Sequence, residues 1–287
     1  MSQVLPVTVA EHGGTAETNP IARTAYYTLA VRAWDASRAK PVCGDRYAAA
    51  FMNEEAAAIW ERFKDLAKPN GSNATRHAII DEHLREELAK DRTARVVVIG
   101  AGFDTRAYRL DGGHWIEVDE PAIIRYKEER LPAERAPNPL TRVPIRFARD
   151  ALADVLARFT ARERTHIVLE GVLMYLTRPQ RVELLHALRA CFPRHVVYCD
   201  LMRRSFYTSY ARAVQERMAR MGAAFHDMVE DPEALFVEAG YQAAACTSIA
   251  LTAAERGAVG IPPFVIRRFL RTLRDGYSIW KWERRAP

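Results

Sequence analysis

The stretch VVVIGAGFDTRAYRL, Val96 to Leu110, runs four β-branched residues into Gly-Ala-Gly and reaches an aspartate two residues later. An apolar run without polar alternation fits a strand buried on both faces of a parallel sheet. Gly100 and Gly102 remove Cβ atoms where the chain turns and where a ligand must approach the backbone. If the sheet is doubly wound, this exit is where a ligand binds. The rest of the chain decides whether it is.

Downstream, short apolar runs recur at Trp115–Val118, more weakly at Ile145–Phe147, then at His166–Leu169 and His195–Cys199. Helical patterns separate several of them, over Pro121–Arg130, Leu152–Arg162 and Pro179–Cys191. Strands alternating with helices predict βαβ units and a doubly wound α/β sheet. Upstream, residues 1–20 lack periodicity. The spacing then predicts helices over Ile21–Trp34, Tyr47–Ala67 and Thr75–Lys90, with a loop at Lys68-Pro-Asn-Gly-Ser-Asn. Near the end, Ser205–Met221 reads as a long helix, DPEALFVEAG as a short one closed by Gly240, and YQAAACTSIAL as a sixth strand. GYSIWKWERR alternates with period two, as an antiparallel strand near an edge does.

At 287 residues and 49% hydrophobic, the chain can bury one large core or a core plus a cap. No apolar run reaches the roughly 20 residues that span a bilayer, and the N-terminus lacks a signal-peptide pattern, so no membrane association and a cytoplasmic location are expected. Cys43, Cys191, Cys199 and Cys246 are scattered and read as structural thiols. The formal charge is +6, but the arginines that carry it are dispersed and form no stripe of the kind that binds nucleic acid.

Two ligand readings compete at the glycine loop, beside the plainer one of a tight βα turn. A dinucleotide fingerprint needs a third glycine where Thr105 stands. Asp104 at the mouth would also repel a pyrophosphate and tolerate a cation. S-adenosylmethionine, with a sulfonium, an ammonium and no phosphate, suits such a loop better. WIEVDEP ends the second strand with Asp119 where a nucleoside ribose would be held, although Asp119 as a helix N-cap is the alternative. Asp150 in RFARDAL and Glu170 in LEGVLMYL end the third and fourth units. Acids at three successive strand ends favour a site.

These segments resemble the leucine carboxyl methyltransferase family of class I S-adenosylmethionine-dependent methyltransferases, whose bacterial branch includes tetracenomycin-type polyketide carboxyl O-methyltransferases. The resemblance rests on NPIARTAYYTLAVRAWDA, DRYAAAF, TRHAIIDEHLREEL, VVVIGAGFDTRAYRL, WIEVDEPAIIRYKEERL, VLEGVLMYL, LFVEAGY and GYSIWKWERR, in the family's order. It implies a seven-stranded, Rossmann-like methyltransferase sheet with an antiparallel last strand. Residues 1–90 would form a helical cap segment and 91–287 the cofactor-binding core, with a cap helix inserted at about 203–225. It further implies that Arg76 grips the cofactor carboxylate, Gly100 contacts it from the loop, Asp119 binds the ribose, Asp150 with Ala151 meets the adenine, and Glu170 is the acid after strand four. The family often has leucine where Ala151 stands. Arg23 corresponds to a basic residue near the methionine end. Ala101, Gly102, Asp104, Glu120 and Gly171, neighbours of these positions, complete the candidate cofactor set.

The expected activity is transfer of a methyl group to a carboxylate of a small molecule. A carboxylate is already ionised, which agrees with the lack of a Ser-His-Asp or Cys-His arrangement and of a metal-ligand cluster such as H-E-x-x-H. Tyr175, with Tyr26 and Tyr27 of the cap, is the candidate for orienting the acceptor. Arg106 and Arg109 read as braces of the loop, and His77 and His226 receive no role. Open alternatives are a protein C-terminal carboxylate, a phenol, nitrogen or sulfur acceptor, and a cofactor-binding protein without turnover. The sequence does not give the oligomeric state.

Overall fold

Strand β1, Arg95–Ile99, sends Val97 and Ile99 into one apolar cluster and Val96 and Val98 into another, so it is covered on both faces. A computed structural model describes residues 20–147, 149–223 and 225–284, and the side chains among them from Arg23 onward. The expectation for residues 1–19 lies outside the described residues.

The sheet has seven strands in the order β3-β2-β1-β4-β5-β7-β6. β2 (His114–Asp119), β3 (Leu140–Pro144), β4 (Thr165–Leu169) and β5 (His195–Met202) run parallel with β1, while β7 (Tyr277–Arg284) is antiparallel to both β5 and β6 (Tyr241–Ser248). From β1 the chain winds outward through β2 to β3, then returns to the other side of β1 for β4. The switch point therefore lies between β1 and β4, at whose carboxyl ends a crevice must open. The doubly wound sheet is as expected, and the alternating GYSIWKWERR is the strand beside the edge.

The helices fall into three groups. α1 (Pro20–Ala36), α2 (Glu54–Phe63) and α3 (Ala67–Lys90) precede the sheet. α4 (Arg106–Arg109), α5 (Pro121–Arg130), α6 (Leu152–Ala157) and α7 (Arg178–Cys191) connect the parallel strands. The remainder is α8 (Arg204–Phe206), α9 (Arg212–Ala219), α10 (Ala234–Glu238), α11 (Ile249–Glu255), α12 (Pro263–Phe269) and α13 (Arg271–Asp275). The last three, between β6 and β7, were not read in the sequence.

A cap cluster built on Leu29, Phe51 and Phe63 reaches Phe103 of the glycine loop and Met218 of α9. Phe103, 1% exposed, packs against Tyr26 at 4.8 Å and Phe51 at 5.5 Å. Burying such a ring contributes about 1.5–3 kcal/mol, so the loop is fastened to the cap from above. α3 serves both layers: Ile80, Leu84 and Leu88 pack on the same sheet face as Val96 and Val98.

Several expected elements differ. The sixth strand ends at Ser248, where the chain turns into α11 instead of running on to Leu251, and the Leu152–Arg162 helix ends at Ala157. The third strand is Leu140–Pro144, not Ile145–Phe147. It is an edge strand and mostly solvated, so its polar LTRVP carries no apolar run. The Tyr47–Ala67 helix is interrupted where Asn53 accepts the Ala56 N–H as the N-cap of α2. α3 begins at Ala67 and runs through the expected Lys68–Asn73 loop. Pro69 sits in its first turn, where backbone N–H groups have no helical partner, and Gly71 is there because a Cβ would overlap the Ala258 carbonyl oxygen. The segment Ser205–Met221 is helical but contains a π turn at Tyr207–Ala211 between α8 and α9.

Candidate functional site

A cavity of about 510 Å³ opens at the carboxyl ends of β1, β2 and β4. Its floor is the glycine loop. The Gly100 and Ala101 N–H groups both donate to Val118 O, closing the turn against β2. Gly100 and Gly102 have φ of +67° and +48°, a region that favours glycine. A Cβ on Gly100 would lie 2.7 Å from Val172 Cγ2, and one on Gly102 would lie 3.1 Å from Ala25 Cβ. Both glycines therefore admit neighbouring protein chain as well as shaping the floor.

Asp119 stands at the end of β2 with its carboxylate turned back to the loop. It accepts the Gly102 N–H at 2.5 Å and the Glu120 N–H at 2.6 Å. Burial raises its pKa to about 6, against the opposing pull of those two donors. Glu120 lines the same wall and accepts the Phe147 N–H at 3.3 Å.

Glu170, after β4, lies in a buried ionic cluster. Its Oε1 accepts Arg76 Nε at 3.1 Å, and its Oε2 meets Arg106 Nη2 at 2.7 Å and His77 Nδ1 at 3.0 Å. Burial alone would raise this carboxyl; the neighbouring His77, Arg106 and Arg76 hold it well below the ordinary range. Arg106 is fully buried and also binds Asp81 and Asp104, while Arg109 binds Asp81, Thr105 and the other nitrogen of His77. The two arginines are thus the expected braces. Burial and the Arg106 charge lower the pKa of His77, and its engaged ring nitrogens leave it no role as a free base.

Among the described residues, Arg76, Gly100, Ala101, Gly102, Asp104, Asp119, Glu120, Asp150, Glu170, Gly171 and Tyr175 come together around the cavity. Three candidates do not. Arg23 lies on the outer side of α1, ion-paired to Glu55 at 2.8 Å. Tyr26 is packed on Phe103 in the cap core, and its neighbour Tyr27 faces the cavity instead, donating to Asn70 Oδ1 at 2.9 Å. Ala151 is the exposed residue before α6, while Asp150, Leu152 and Ala153 line the wall. One premise also changes. Asp104 is no free acid at the mouth, because it is buried and ion-paired to Arg106.

The rest of the wall comes from the cap and the inserted segment. Tyr175, with burial raising its pKa, hydrogen-bonds the Thr24 side chain and meets Phe225 edge-on at 5.3 Å. Phe206, Tyr210, Val214 and Met218 add a mostly apolar face. Tyr210 and Ala211, at the end of the π turn, both line the cavity. Asp200 and Tyr277, beside Arg76, were missed. The signal for Asp200 was available: YCDLM ends the fifth strand with an acid, as the other units do.

The charge around the cavity suits a cationic nucleoside. Asp119, Glu120, Asp150 and Glu183 line it beside Asp104 and Glu170, which are ion-paired to Arg106 and Arg76, and the two lining guanidiniums, Arg32 and Arg76, are likewise bonded to protein acids. A pyrophosphate would find carboxylates where it needs donors. No group of acids, histidines and cysteines among the described residues could hold a metal ion, and none of their helices is long and apolar enough to cross a membrane.

Residues 25–189, more than half of the chain, match the family model described as leucine carboxyl methyltransferase. A curated protein of Mycobacteroides abscessus named "Putative S-adenosyl-L-methionine-dependent methyltransferase" is 28% identical over 178 residues, covering 54% of this chain and 56% of that protein. One of the same name from Mycobacterium tuberculosis (strain ATCC 25177 / H37Ra) is 29% identical over 178 residues, covering 55% and 58%. The chain thus spans a little over half the length of the curated relatives it matches. Among solved structures, a DUF574 family protein from Streptomyces avermitilis aligns with a TM-score of 0.58 at 11% identity, covering 92% of this chain and 100% of that one. A Thermobifida fusca protein named "putative methyltransferase" aligns at 0.56 and 15% identity, covering 89% and 94%. At such identities the likeness is one of fold.

Proposed function

Because the chain belongs to the leucine carboxyl methyltransferase family, we propose that it is an S-adenosylmethionine-dependent methyltransferase whose acceptor is a carboxylate of a small molecule. The observation that carries this reading is the acid-rich cavity on the glycine loop, with Asp119 at the end of β2 and both lining arginines engaged by protein acids. Asp119 would take the ribose hydroxyls, and the Glu170–Arg76 pair the amino-acid end.

When bound, the donor supplies a methyl group on a positively charged sulfur, so its leaving group needs no acid. What the chain adds is alignment and exclusion of water. The Tyr175 hydroxyl, beside Thr24 on the cap wall, can face the acceptor, and a neutral donor of that kind orients a carboxylate without binding it strongly. Negative and positive charge cancel as the acceptor attacks, so a tightly paired acceptor anion would be stabilised more in the ground state than in the transition state. His77, lowered in pKa and fully engaged, is not required to act as a base.

The test is calorimetry with S-adenosylhomocysteine, followed by methyl transfer from labelled donor to panels of carboxylic acids, phenols, amines, thiols and a peptide ending in a free carboxylate. Uptake of the nucleoside and transfer to small carboxylic acids is the expected result. Transfer confined to another panel would replace the acceptor class. Tight binding of NAD or ATP in place of the nucleoside would remove the reading.

A further inference from the structure

Arg76 reaches the cavity from α3, but two residues far along the chain also fix its position. β7 lies antiparallel to β5 with Met202 opposite Tyr277 and Asp200 opposite Ile279, which brings the Tyr277 hydroxyl to Asp200. That hydroxyl donates to Asp200 Oδ2 at 2.6 Å and accepts from Arg76 Nη1 at 2.9 Å. Arg76 Nη1 also lies 3.4 Å from Asp200 Oδ2, and Asp200 Oδ1 accepts the Gly171 N–H at 2.6 Å. With Nε held by Glu170, the guanidinium is gripped from two sides. Arg76, Asp200 and Tyr277 are 6%, 2% and 8% exposed, so water does not compete for these bonds.

We propose that Asp200 and Tyr277 are positioning residues that hold the Arg76 guanidinium toward the amino-acid end of the nucleoside donor. The proposal rests on the methyltransferase reading above. Three features support it. Arg76 and Tyr277 both line the cavity, whereas Asp200 acts from behind them. A free arginine loses up to about 2 kcal/mol of rotamer freedom when it is fixed, and a guanidinium fixed beforehand loses less on binding. Glu170 and Asp200 with Tyr277 engage Nε and Nη1 of Arg76 from either side, which leaves Nη2 of the held guanidinium to face a ligand carboxylate. Asp200 ties the Gly171 backbone to the same clamp, so the turn after β4 and the guanidinium keep one spacing.

Two ligands separate positioning from general support. S-adenosylhomocysteine carries the amino-acid end; 5′-methylthioadenosine is the same nucleoside thioether without it. Calorimetry on the wild type, Tyr277→Phe and Asp200→Asn reads both affinities, with the melting temperature of each ligand-free protein recorded beside them. Tyr277→Phe is expected to weaken S-adenosylhomocysteine about tenfold and 5′-methylthioadenosine less than about twofold, the loss of one hydrogen bond to a charged group. Asp200→Asn should show the same selectivity, and Tyr277→Phe decides alone if that variant does not fold. Equal weakening of both ligands, or none for S-adenosylhomocysteine, overturns the proposal. Wild-type protein that takes up neither nucleoside removes the methyltransferase reading, and this proposal with it.

Discussion

Asp119 couples the candidate site to pH. Its pKa is about 6 because it is buried, while Asp104 and Glu170 are held below their ordinary values by adjacent arginines. Ionising Asp119 therefore opposes folding, and that penalty grows as pH rises from the usual carboxylate range through about 6. Ribose hydroxyls donating to the carboxylate would favour the ionised form, so binding should release a proton near pH 6. S-adenosylhomocysteine is expected to bind several-fold more weakly at pH 5 than at pH 7, and Asp119→Asn should flatten that dependence. Calorimetry across pH checks it; a wild-type affinity indifferent to pH would show that Asp119 is not the ribose acid. Asp119 and Glu170 were legible as acids ending buried runs. Tyr277 was not, because its partner Arg76 lies 201 residues away and only the pairing of β7 with β5 joins them. Tyr26 and Tyr27 are adjacent in sequence, so residue type alone could not say which one faces the cavity.

Helices and strands were read well where burial dictates composition and poorly where local chemistry mimics a turn. β1 and β2 stand in the interior of the sheet and announce themselves as apolar runs, whereas β3 at the edge needs no such run. α3 is the instructive error. Pro69 and Gly71 look like loop residues, yet one occupies a first turn and the other meets the Ala258 carbonyl. Gly71→Ala would gain about 1 kcal/mol of helix propensity, but relieving the overlap with backbone should cost about 1–3 kcal/mol. Because a backbone carbonyl yields less readily than a side chain, net destabilisation is expected, read as a lower urea midpoint. A variant as stable as wild type would mean that α3 and the chain after α11 can move apart without loss.

Across the molecule, the +6 formal charge and the acid-rich cavity point in opposite directions. The local field, set by groups a few ångströms away, decides what the cavity accepts. The cavity is also shared between layers: the sheet supplies the loops, while Thr24 and Tyr27 of α1 and the segment from Phe206 to Met218 supply the opposite wall. A ligand touching both should suppress local opening in both. Hydrogen exchange with S-adenosylhomocysteine is therefore expected to slow at residues 100–104 and 170–176, and equally at 24–28 and 206–218. Protection confined to the sheet loops would show that the cap does not close on the nucleoside.

Among the described residues β6 pairs only with β7, which is inserted between it and β5. Without β7, β5 presents a bare hydrogen-bonding edge and β6 has nowhere to dock. A translation product truncated near Asp275 would keep every glycine and acid of the pocket floor, yet would leave Arg76 without the phenol that steadies it. A chain lacking β7 thus keeps the pocket floor but exposes an open β5 edge, the kind of surface that pairs with other chains.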